Sequence, residues 1–416
     1  MPASSSTVLW RDPDFRRLWV GQTASQLGEQ ATLVALPLIA VLTRGARPDQ
    51  VGALRAVGQA PLLLLPLFVG AWVDRWRTRT VMVLADLGRA LALTGAVVAG
   101  YFGGLGLPAL LLVAFAVGGM SVFFDVAYQA SLVRFVRRDQ LARANSAIEG
   151  SRSAAQIGGP ALGGALASSP VAPAVLFMLS FLTIRRMRRD EPIPPHHPHR
   201  IWRQIHEGVR FVTRDPALRT VCLASAAFQF SFAATMTAYL LFLPRDLHLS
   251  GAAVGLVLAA TGPGALVGSL LAARLPARLG YGPVLVGAAA IGDGALLIVP
   301  TLHGPPTVTV PLLVLANLVF GAFGQLVNVT VMVVRQALTP NEMQGRVAAT
   351  ITFAGMGMAP LGSLLGGALA TQWGLRTSLA VTAAGMLLSP LLMALSPLAR
   401  LGKELGQRAT SETSKE

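Results

Sequence analysis

Residues 107–124 read LPALLLVAFAVGGMSVFF and contain no charged side chain. A helix needs about 20 mostly apolar residues to cross a lipid bilayer, and this run has that character. Comparable uncharged runs lie at 56–73, 220–244, 347–375 and 377–399. The strands of a membrane barrel alternate in polarity, whereas these runs are continuously apolar. The sequence therefore predicts an all-α integral membrane protein.

The composition indicates that lipid surrounds most of the chain. Of the 416 residues, 53% are hydrophobic and 13% are charged, whereas soluble domains carry about 25% charged residues. The mean hydropathy is +0.59. We predict twelve transmembrane helices in two six-helix bundles. The predicted spans are 18–42, 51–72, 80–101, 107–130, 144–167, 171–185, 218–243, 251–273, 283–301, 309–334, 345–371 and 377–398.

The net charge of +15 would suggest nucleic acid as a partner of a soluble protein. In this chain, loops rich in basic residues alternate with loops that contain few of them. With the N-terminus inside, 27 of the 34 basic residues fall in cytoplasmic segments and 4 fall in outside loops. This bias predicts that both termini are cytoplasmic, and it excludes a nucleic-acid surface because the positive charges form no single patch. The start of the chain lacks the apolar core of a signal peptide.

The predicted organisation has five parts. A leader covers 1–17, the N-terminal bundle 18–185, a cytoplasmic linker 186–217, the C-terminal bundle 218–398 and a cytoplasmic tail 399–416. Within the linker, residues 201–213 show the spacing of an amphipathic helix on the inner membrane surface. The linker also holds His196, His197, His199 and His206, whose Pro-rich setting favours a solvated segment over a metal site.

The two halves resemble each other at an offset of 200 to 203 residues. The loop VRRDQLAR at 136–143 has a counterpart in LTPNEMQGR at 338–346. The following helices share small-residue segments, GGPALGG at 158–164 and PLGSLLGG at 360–367. Parallel repeats of this kind are related by an axis along the membrane normal, and one half rocks against the other in alternating access.

Several motifs resemble those of the major facilitator superfamily, and in particular its twelve-helix bacterial drug-export group, which includes macrolide-efflux and enterobactin-exporter-like proteins. FRRLWVGQ at 15–22 is similar to the opening of that group, and GAWVDR at 70–75 is similar to the loop signature G-x-x-x-D-R-x-G-R-R. FDVAYQ at 124–129 and GPALGG at 159–164 are similar to its fourth and fifth helices. The resemblance covers nearly the whole chain and implies the major facilitator fold.

The resemblance implies roles for the motif residues. Asp74 would latch the outward-open state, supported by Arg75 and Arg79. Gly70, Gly159, Pro160, Gly163 and Gly164 would provide close helix packing. The chain departs from the family pattern at Arg77, Thr78 and Ala155, and the loop 268–280 lacks the aspartate. The predicted sixth helix is short for a bilayer about 30 Å thick.

Eight ionisable residues fall within predicted spans, and such residues are functional candidates because lipid disfavours charge. They are Glu29, Arg55, Asp86, Arg89, Asp125, Glu149, Arg152 and Asp293. The i,i+3 pairs Asp86–Arg89 and Glu149–Arg152, together with Asp125, predict an ion-pair network or gate.

Glu29 is the first candidate for proton coupling because it lies about 16 Å into its helix, close to mid-membrane. Asp86, Asp125, Glu149 and the more isolated Asp293 are further candidates. The alternative for Glu29 is a structural pair with Arg55 or a polar neighbour. If Glu29 couples protons, Glu29→Gln should abolish proton-driven efflux.

A hydrophobic or amphipathic substrate fits the apolar second half. Phe228, Phe232, Met236 and Tyr239 share one face of the predicted seventh helix, with packing or lipid contact as the alternative. Gln22, Arg55 and Asn328 complete the candidate substrate cavity.

The sequence therefore favours a secondary active exporter of a drug, macrolide-like or siderophore-like molecule, with proton antiport, in the plasma (inner) membrane. We expect a monomer without cofactor, metal or nucleic-acid partner. No H-E-x-x-H, G-x-S-x-G or G-x-x-x-x-G-K motif indicates an enzyme. The alternatives are a lipid or lysolipid flippase of the same fold and a non-transporting receptor or scaffold.

Overall fold

The computed structural model describes residues 10–65, 69, 76–104, 106–135, 140–166, 170–187, 201–340 and 342–402. Within these ranges the regular structure is entirely helical. The first helices are α1 (Pro13–Arg44), α2 (Pro48–Leu64), α3 (Thr78–Tyr101), α4 (Leu107–Phe135), α5 (Leu141–Ala165) and α6 (Val171–Arg185). Then come α7 (Ile201–Arg214), α8 (Pro216–Arg245), α9 (Gly251–Ala259), α10 (Thr261–Ala272), α11 (Leu275–Leu279) and α12 (Tyr281–Ala295). The last are α13 (Pro306–Leu338), α14 (Gln344–Trp373), α15 (Leu375–Met386) and α16 (Leu388–Ala394).

Nine segments among the described residues are long and apolar enough to cross a bilayer. Three of them join two consecutive elements: α9 with α10, α12 with a 3-10 turn at Leu296–Thr301, and α15 with α16. The shorter α6 has the bounds predicted for the sixth span. The described part of α2 ends at Leu64, whereas the predicted second span continues to 72. The prediction of an all-helical membrane protein is confirmed, and the count of twelve spans stays a prediction.

The first helix of each half begins with the same two residues. Asp12 precedes Pro13, and its Oδ1 accepts a hydrogen bond of 2.8 Å from the backbone N–H of Asp14. Asp215 precedes Pro216, and its Oδ1 accepts hydrogen bonds of 2.8 and 2.9 Å from the next turn. Proline suits the first helical position, and an aspartate cap satisfies free N–H groups. The two Asp-Pro caps lie 203 residues apart and extend the internal repeat.

The chain divides into two compact units. The first comprises Met1–His197 and Leu243–Ala259, and the second comprises Pro198–Phe242 and Ala260–Glu416. The segment from the end of α8 through α9 is thus grouped with the first unit, and the division into two contiguous six-helix bundles stays a prediction.

In the first unit, α1 packs against α5 and α6, while α3 packs against α4 and α6. A cluster of buried side chains joins α1, α3, α4 and α6, with Phe15, Met82, Phe124 and Ile184 among its members. Both α4 and α6 contact α1 as well as α3, and this packing positions the polar residues described below.

In the second unit, α13 packs against α10 and α12. The amphipathic α7 packs against α14. Val212 of α7 is buried in the same apolar cluster as Leu218 of α8, and Glu207 of α7 forms an ion pair with Arg346 of α14. The placement of this helix on the inner membrane surface stays a prediction.

Candidate functional site

An ion pair lies inside the first unit. Asp86 and Arg89 stand one turn apart on α3, and both side chains are 0% exposed. The contact joins Arg89 Nη2 to Asp86 Oδ1. A buried charge must be paired and hydrogen-bonded to be tolerated, and the surrounding helices supply the further partners.

Three serines surround this pair from three other helices. Ser25 of α1 accepts a hydrogen bond of 2.7 Å from Arg89 Nη2. Ser121 of α4 accepts one of 3.2 Å from Arg89 Nη1. Ser180 of α6 donates to Asp86 Oδ2. The ion pair therefore ties α1, α3, α4 and α6 together through charge-assisted hydrogen bonds.

Two aromatic rings enclose the guanidinium group. The Cζ atom of Arg89 lies 4.6 Å from the ring centroid of Phe124 and 4.3 Å from that of Phe177. Cations are attracted to the faces of aromatic rings at such distances. The guanidinium group of Arg89 is therefore in contact with one ring from α4 and one from α6. Its Nε atom is buried and has no hydrogen-bond partner.

Glu29 and Asp125 stand beside this pair. The charges of Arg89 and Arg152 act on Glu29, and Ser121 flanks it. Asp125 is influenced by Glu29 and Asp86 as well as by the two arginines. Glu29 is therefore near enough to Arg89 and Arg152 to interact with their charges, and among the described side chains no ion pair joins it to these arginines or to Arg55.

Glu149 and Arg152 on α5 form a looser contact of 4.0 Å, with side chains that are 67% and 56% exposed. We call the whole set the charge cluster. It contains Glu29, Asp86, Arg89, Asp125, Glu149 and Arg152. Its four carboxylates outnumber its two guanidinium groups, so two negative charges lack a cation within the cluster.

The described residues include only part of the loop signature that begins at Gly70. Gly70, Asp74 and Arg75 lie outside the described residues, as do His196, His197 and His199. Arg79, in the first turn of α3, donates from Nη2 to the carbonyl oxygen of Arg185 at the end of α6. This contact fixes the start of α3 to the end of α6 in the same unit.

The glycines of α5 lie where backbones meet. A Cβ atom at Gly159 would stand 2.3 Å from Gln30 Cβ, and one at Gly163 would stand 2.4 Å from the carbonyl oxygen of Ala31 on α1. A Cβ atom at Gly164 would stand 2.4 Å from the carbonyl oxygen of Gly251 at the start of α9. Pro160 lies between these positions, inside the helix. Because these three positions are glycines, the backbones of α1 and α9 can pack closely against α5. A side chain at any of them would keep the helices apart.

A cavity of about 300 Å³ lies inside the second unit. Its walls come from α8, α12, α13 and α16. The polar lining consists of Asp293, Asn328, Gln229, Ser225 and Ser389. The apolar lining includes Phe228, Ala289, Val327, Val331 and Met393. Of the predicted site residues, Phe228, Asn328 and Asp293 therefore meet at one cavity.

The other candidates for substrate contact are not among the residues that line this cavity. Tyr239 is buried, and its hydroxyl accepts a hydrogen bond of 2.7 Å from Asn317 Nδ2. Phe232 stacks between Phe228 and Phe320 at centroid distances of 5.5 Å. Met236 is half-buried. In the first unit, Gln22 Oε1 and Arg55 Nε are buried without a hydrogen-bond partner.

The structure adds residues to the site that sequence reasoning missed. Ser25 and Ser121 contact the ion pair, and each stands one helical turn before an acidic residue, Glu29 and Asp125. A hydroxyl four residues before a carboxylate in an apolar helix was a signal for these two positions. Phe177 and Ser180 on α6 carried no such signal, because their partners lie on distant segments of the chain.

Comparison with known proteins gives consistent matches over almost the full length. The family described as "Transmembrane secretion effector" matches residues 4–413. The multidrug efflux pump Tap of Mycobacterium tuberculosis is 29% identical over 403 residues, covering 88% of this chain and 89% of the relative. The uncharacterized MFS-type transporter YfiS of Bacillus subtilis is 26% identical over 386 residues and covers 89% of each.

Solved structures share the fold. A bacterial homolog of the human lysosomal transporter Spinster aligns with a TM-score of 0.72 at 15% identity, covering 94% of this chain and 97% of that one. A bacterial homologue of the iron transporter ferroportin aligns with a TM-score of 0.70 at 16% identity, covering 91% and 97%. At these identities the likeness establishes architecture alone.

Proposed function

The chain belongs to the transmembrane secretion effector family of the major facilitator superfamily, and from this premise we propose that it exports hydrophobic or amphipathic small molecules in exchange for protons. It is a multi-pass membrane transporter, related to bacterial efflux pumps. Export, the substrate class, the coupling ion and the alternating-access cycle are the parts that we propose.

The observation that carries the proposal is the excess of carboxylates in the charge cluster. Glu29 and Asp125 share the positive charges of Arg89 and Arg152 with two further carboxylates. One proton taken up here removes one uncompensated negative charge from an apolar environment, where such charge is costly. Release of that proton restores the charge. A site that alternates between the two forms can couple proton flow to the transport of a substrate.

Glu29 is the group that we propose to carry the proton. It lies on α1, outside the ion pair itself, while Asp86 is held by Arg89, Ser25 and Ser180. Asp125 faces the same arginines as Glu29. We therefore assign Glu29 the first role and Asp125 a second one, with Arg89 and Arg152 holding the two carboxylates near each other. Asp86 and Glu149 complete the cluster as its paired members.

The internal repeat supports alternating access. Each half starts on an Asp-Pro cap, and the repeat continues in the loops and small-residue helices noted above. Repeats of this type allow one half to rock against the other around a central site. We assign Asp74, Arg75 and Arg79 to a latch at the cytoplasmic mouth, and both termini to the cytoplasm of a monomer in the inner membrane.

An apolar or amphipathic substrate suits the second unit. Phe228 lines its cavity and begins a row of stacked rings that continues through Phe232 to Phe320. Such walls bind ligands through apolar area with a few polar contacts. The Mycobacterium tuberculosis relative is named a multidrug efflux pump, which supports drugs as substrates.

Reconstitution in lipid vesicles tests this proposal. Vesicles containing the purified protein are loaded with a fluorescent amphipathic dye, and a pH gradient is imposed. We expect dye movement against its own gradient, abolished by a protonophore. Dye movement at the same rate with and without the pH gradient would contradict proton antiport. Scrambling of labelled lipid would favour the flippase, and inactivity towards dye and lipid in a vesicle preparation with correctly folded protein would favour the scaffold.

A susceptibility panel in an efflux-deficient host defines the substrate. We expect expression of the chain to raise the inhibitory concentration of several hydrophobic or amphipathic drugs and to leave that of small hydrophilic drugs unchanged. A gain confined to hydrophilic compounds would contradict the proposed substrate class.

A further inference from the structure

Asp293 has an unusual environment for an aspartate on a membrane helix. It lies on α12, its residue surface is 4% exposed, and it lines the cavity of the second unit. Its Oδ2 atom is buried without a hydrogen-bond partner. A buried carboxylate normally has a cation or several donors around it. The charge cluster of the first unit does not use this residue.

The internal repeat shows what stands at the equivalent place in the other unit. At the 203-residue offset set by the Asp-Pro caps, four cavity-lining residues correspond to four residues that contact Arg89. Phe228, Ala289, Gly324 and Val327 take the places of Ser25, Asp86, Ser121 and Phe124. Gly292 takes the place of Arg89 itself.

The cavity therefore lies at the place in the repeat that corresponds to the surroundings of Arg89. Alanine, glycine and valine replace Asp86, Ser121 and Phe124, and glycine replaces Arg89, whereas Phe228 replaces the smaller Ser25. Asp293 corresponds to Ala90 at this offset, so it is not the counterpart of Asp86 but an acidic residue directly after the position of Arg89. In the first unit, the chain itself supplies a guanidinium group to such a pocket. In the second unit, the pocket has the acidic group and the space.

We infer that this cavity binds the cationic group of an organic molecule, an amidinium, guanidinium or ammonium attached to an apolar body. Asp293 would accept from the cation, Asn328 and Gln229 would satisfy its remaining donors, and Phe228 would face its positive charge. The apolar walls formed by Val327, Val331 and Met393 suit the body of such a molecule.

A metal ion suits the site less well. Ca²⁺ takes six to eight oxygen ligands, and Mg²⁺ takes an octahedral shell of oxygens that includes several waters. Here one carboxylate stands among two amides and two hydroxyls, in a cavity of about 300 Å³ with largely apolar walls. That volume is at the lower end of the range for pockets that hold small organic ligands. The inference deepens the proposed function by naming a class of substrate, and it rests on that function only in the step from binding to export.

Ligand binding to the purified full-length protein in detergent tests the inference. The probes are benzamidine, a cation at neutral pH, and benzamide, its neutral near-isostere. The measurement is the melting temperature as a function of probe concentration, because a ligand that binds the folded state stabilises it. The variants are Asp293→Asn and, as a control, Asp49→Asn, which changes a partly exposed aspartate that forms an ion pair with Arg47 at the start of α2.

We expect benzamidine to raise the melting temperature of the wild type and of Asp49→Asn, with benzamide inactive in both. Asp293→Asn should weaken benzamidine binding at least about 30-fold, because it removes the charged partner of a desolvated cation. The unliganded Asp293→Asn protein should melt no lower than the wild type, since the substitution removes a buried charge without a partner. That comparison separates lost binding from lost folding.

Equal stabilisation of the wild type and Asp293→Asn by benzamidine would overturn the inference. Stabilisation by magnesium chloride relative to sodium chloride at equal ionic strength, lost in Asp293→Asn and with benzamidine inactive, would also overturn it in favour of an inorganic cation. The assay requires no transport. If dye export fails but benzamidine binds, the proposed function is contradicted and the binding inference is retained. If benzamidine does not bind, the inference is contradicted and export of neutral substrates is unaffected.

Discussion

The carboxylate of Asp86 and the guanidinium of Arg89 form an ion pair from which solvent is excluded on every side. Serines from three other helices and two aromatic rings complete its surroundings. The pair therefore connects four helices of the first unit, and it places two fixed charges beside the less constrained carboxylates of Glu29 and Asp125.

Removal of one member of this pair should destabilise the protein strongly. Arg89→Met leaves Asp86 charged and buried, which costs about 3–5 kcal/mol in comparable pairs. The measurement is the midpoint of thermal unfolding in detergent, supported by denaturant titration. The double variant Asp86→Leu/Arg89→Met should regain most of the loss, because no charge stays unpaired. A double variant as unstable as the sum of its single variants would contradict this account.

The glycine face of α5 predicts a second effect on stability. Gly163→Ala places a methyl group about where the backbone of Ala31 stands, with its Cβ atom 2.4 Å from the Ala31 carbonyl oxygen. The helices must separate, at an expected cost of about 1–3 kcal/mol, typical of overpacked sites. Gly150→Ala on the same helix is the control, because a Cβ atom at that position would have no neighbouring atom within 4 Å. Equal melting temperatures for both variants would argue against a tight contact.

The aromatic row predicts a change in substrate range. Phe228→Ala removes the ring that lines the cavity and stacks on Phe232. We expect at least a severalfold loss of resistance to bulky aromatic drugs in the efflux-deficient host, with a smaller effect on aliphatic ones. Phe353→Ala, which removes an exposed ring of α14 in the same unit, is the control and should keep the wild-type profile. A uniform loss across all drugs would indicate a general folding effect instead.

Local patterns predicted some features of the structure closely. The short helix at 171–185 and the pairing of Asp86 with Arg89 both follow from neighbours within a few residues. The pair Glu149–Arg152 has the same spacing, yet it is exposed and its atoms stand 4.0 Å apart. Spacing alone decides which side chains can meet, whereas their burial depends on which other helices cover them.

Partners from distant helices could not be predicted. The charges of Arg89 and Arg152 act on Glu29, whereas the expected alternative was a structural pair with Arg55 or a polar neighbour. Asp293 was predicted to be more isolated than the other ionisable residues. In the structure it lines a cavity formed by four helices, and the function proposed for it depends on that cavity. Such neighbours follow from tertiary packing between helices, which no fixed spacing along the chain specifies.

The central claim is that Glu29 couples proton movement to export, and its most direct test uses Glu29→Gln in lipid vesicles. Wild type, Glu29→Gln and the control Asp49→Asn are reconstituted at equal protein density, and uphill dye movement driven by a pH gradient is compared with dye exchange at equal pH on both sides. We predict that Glu29→Gln loses the proton-driven movement, retains the exchange and melts near the wild-type temperature. Proton-driven movement by Glu29→Gln at the wild-type rate would contradict the claim.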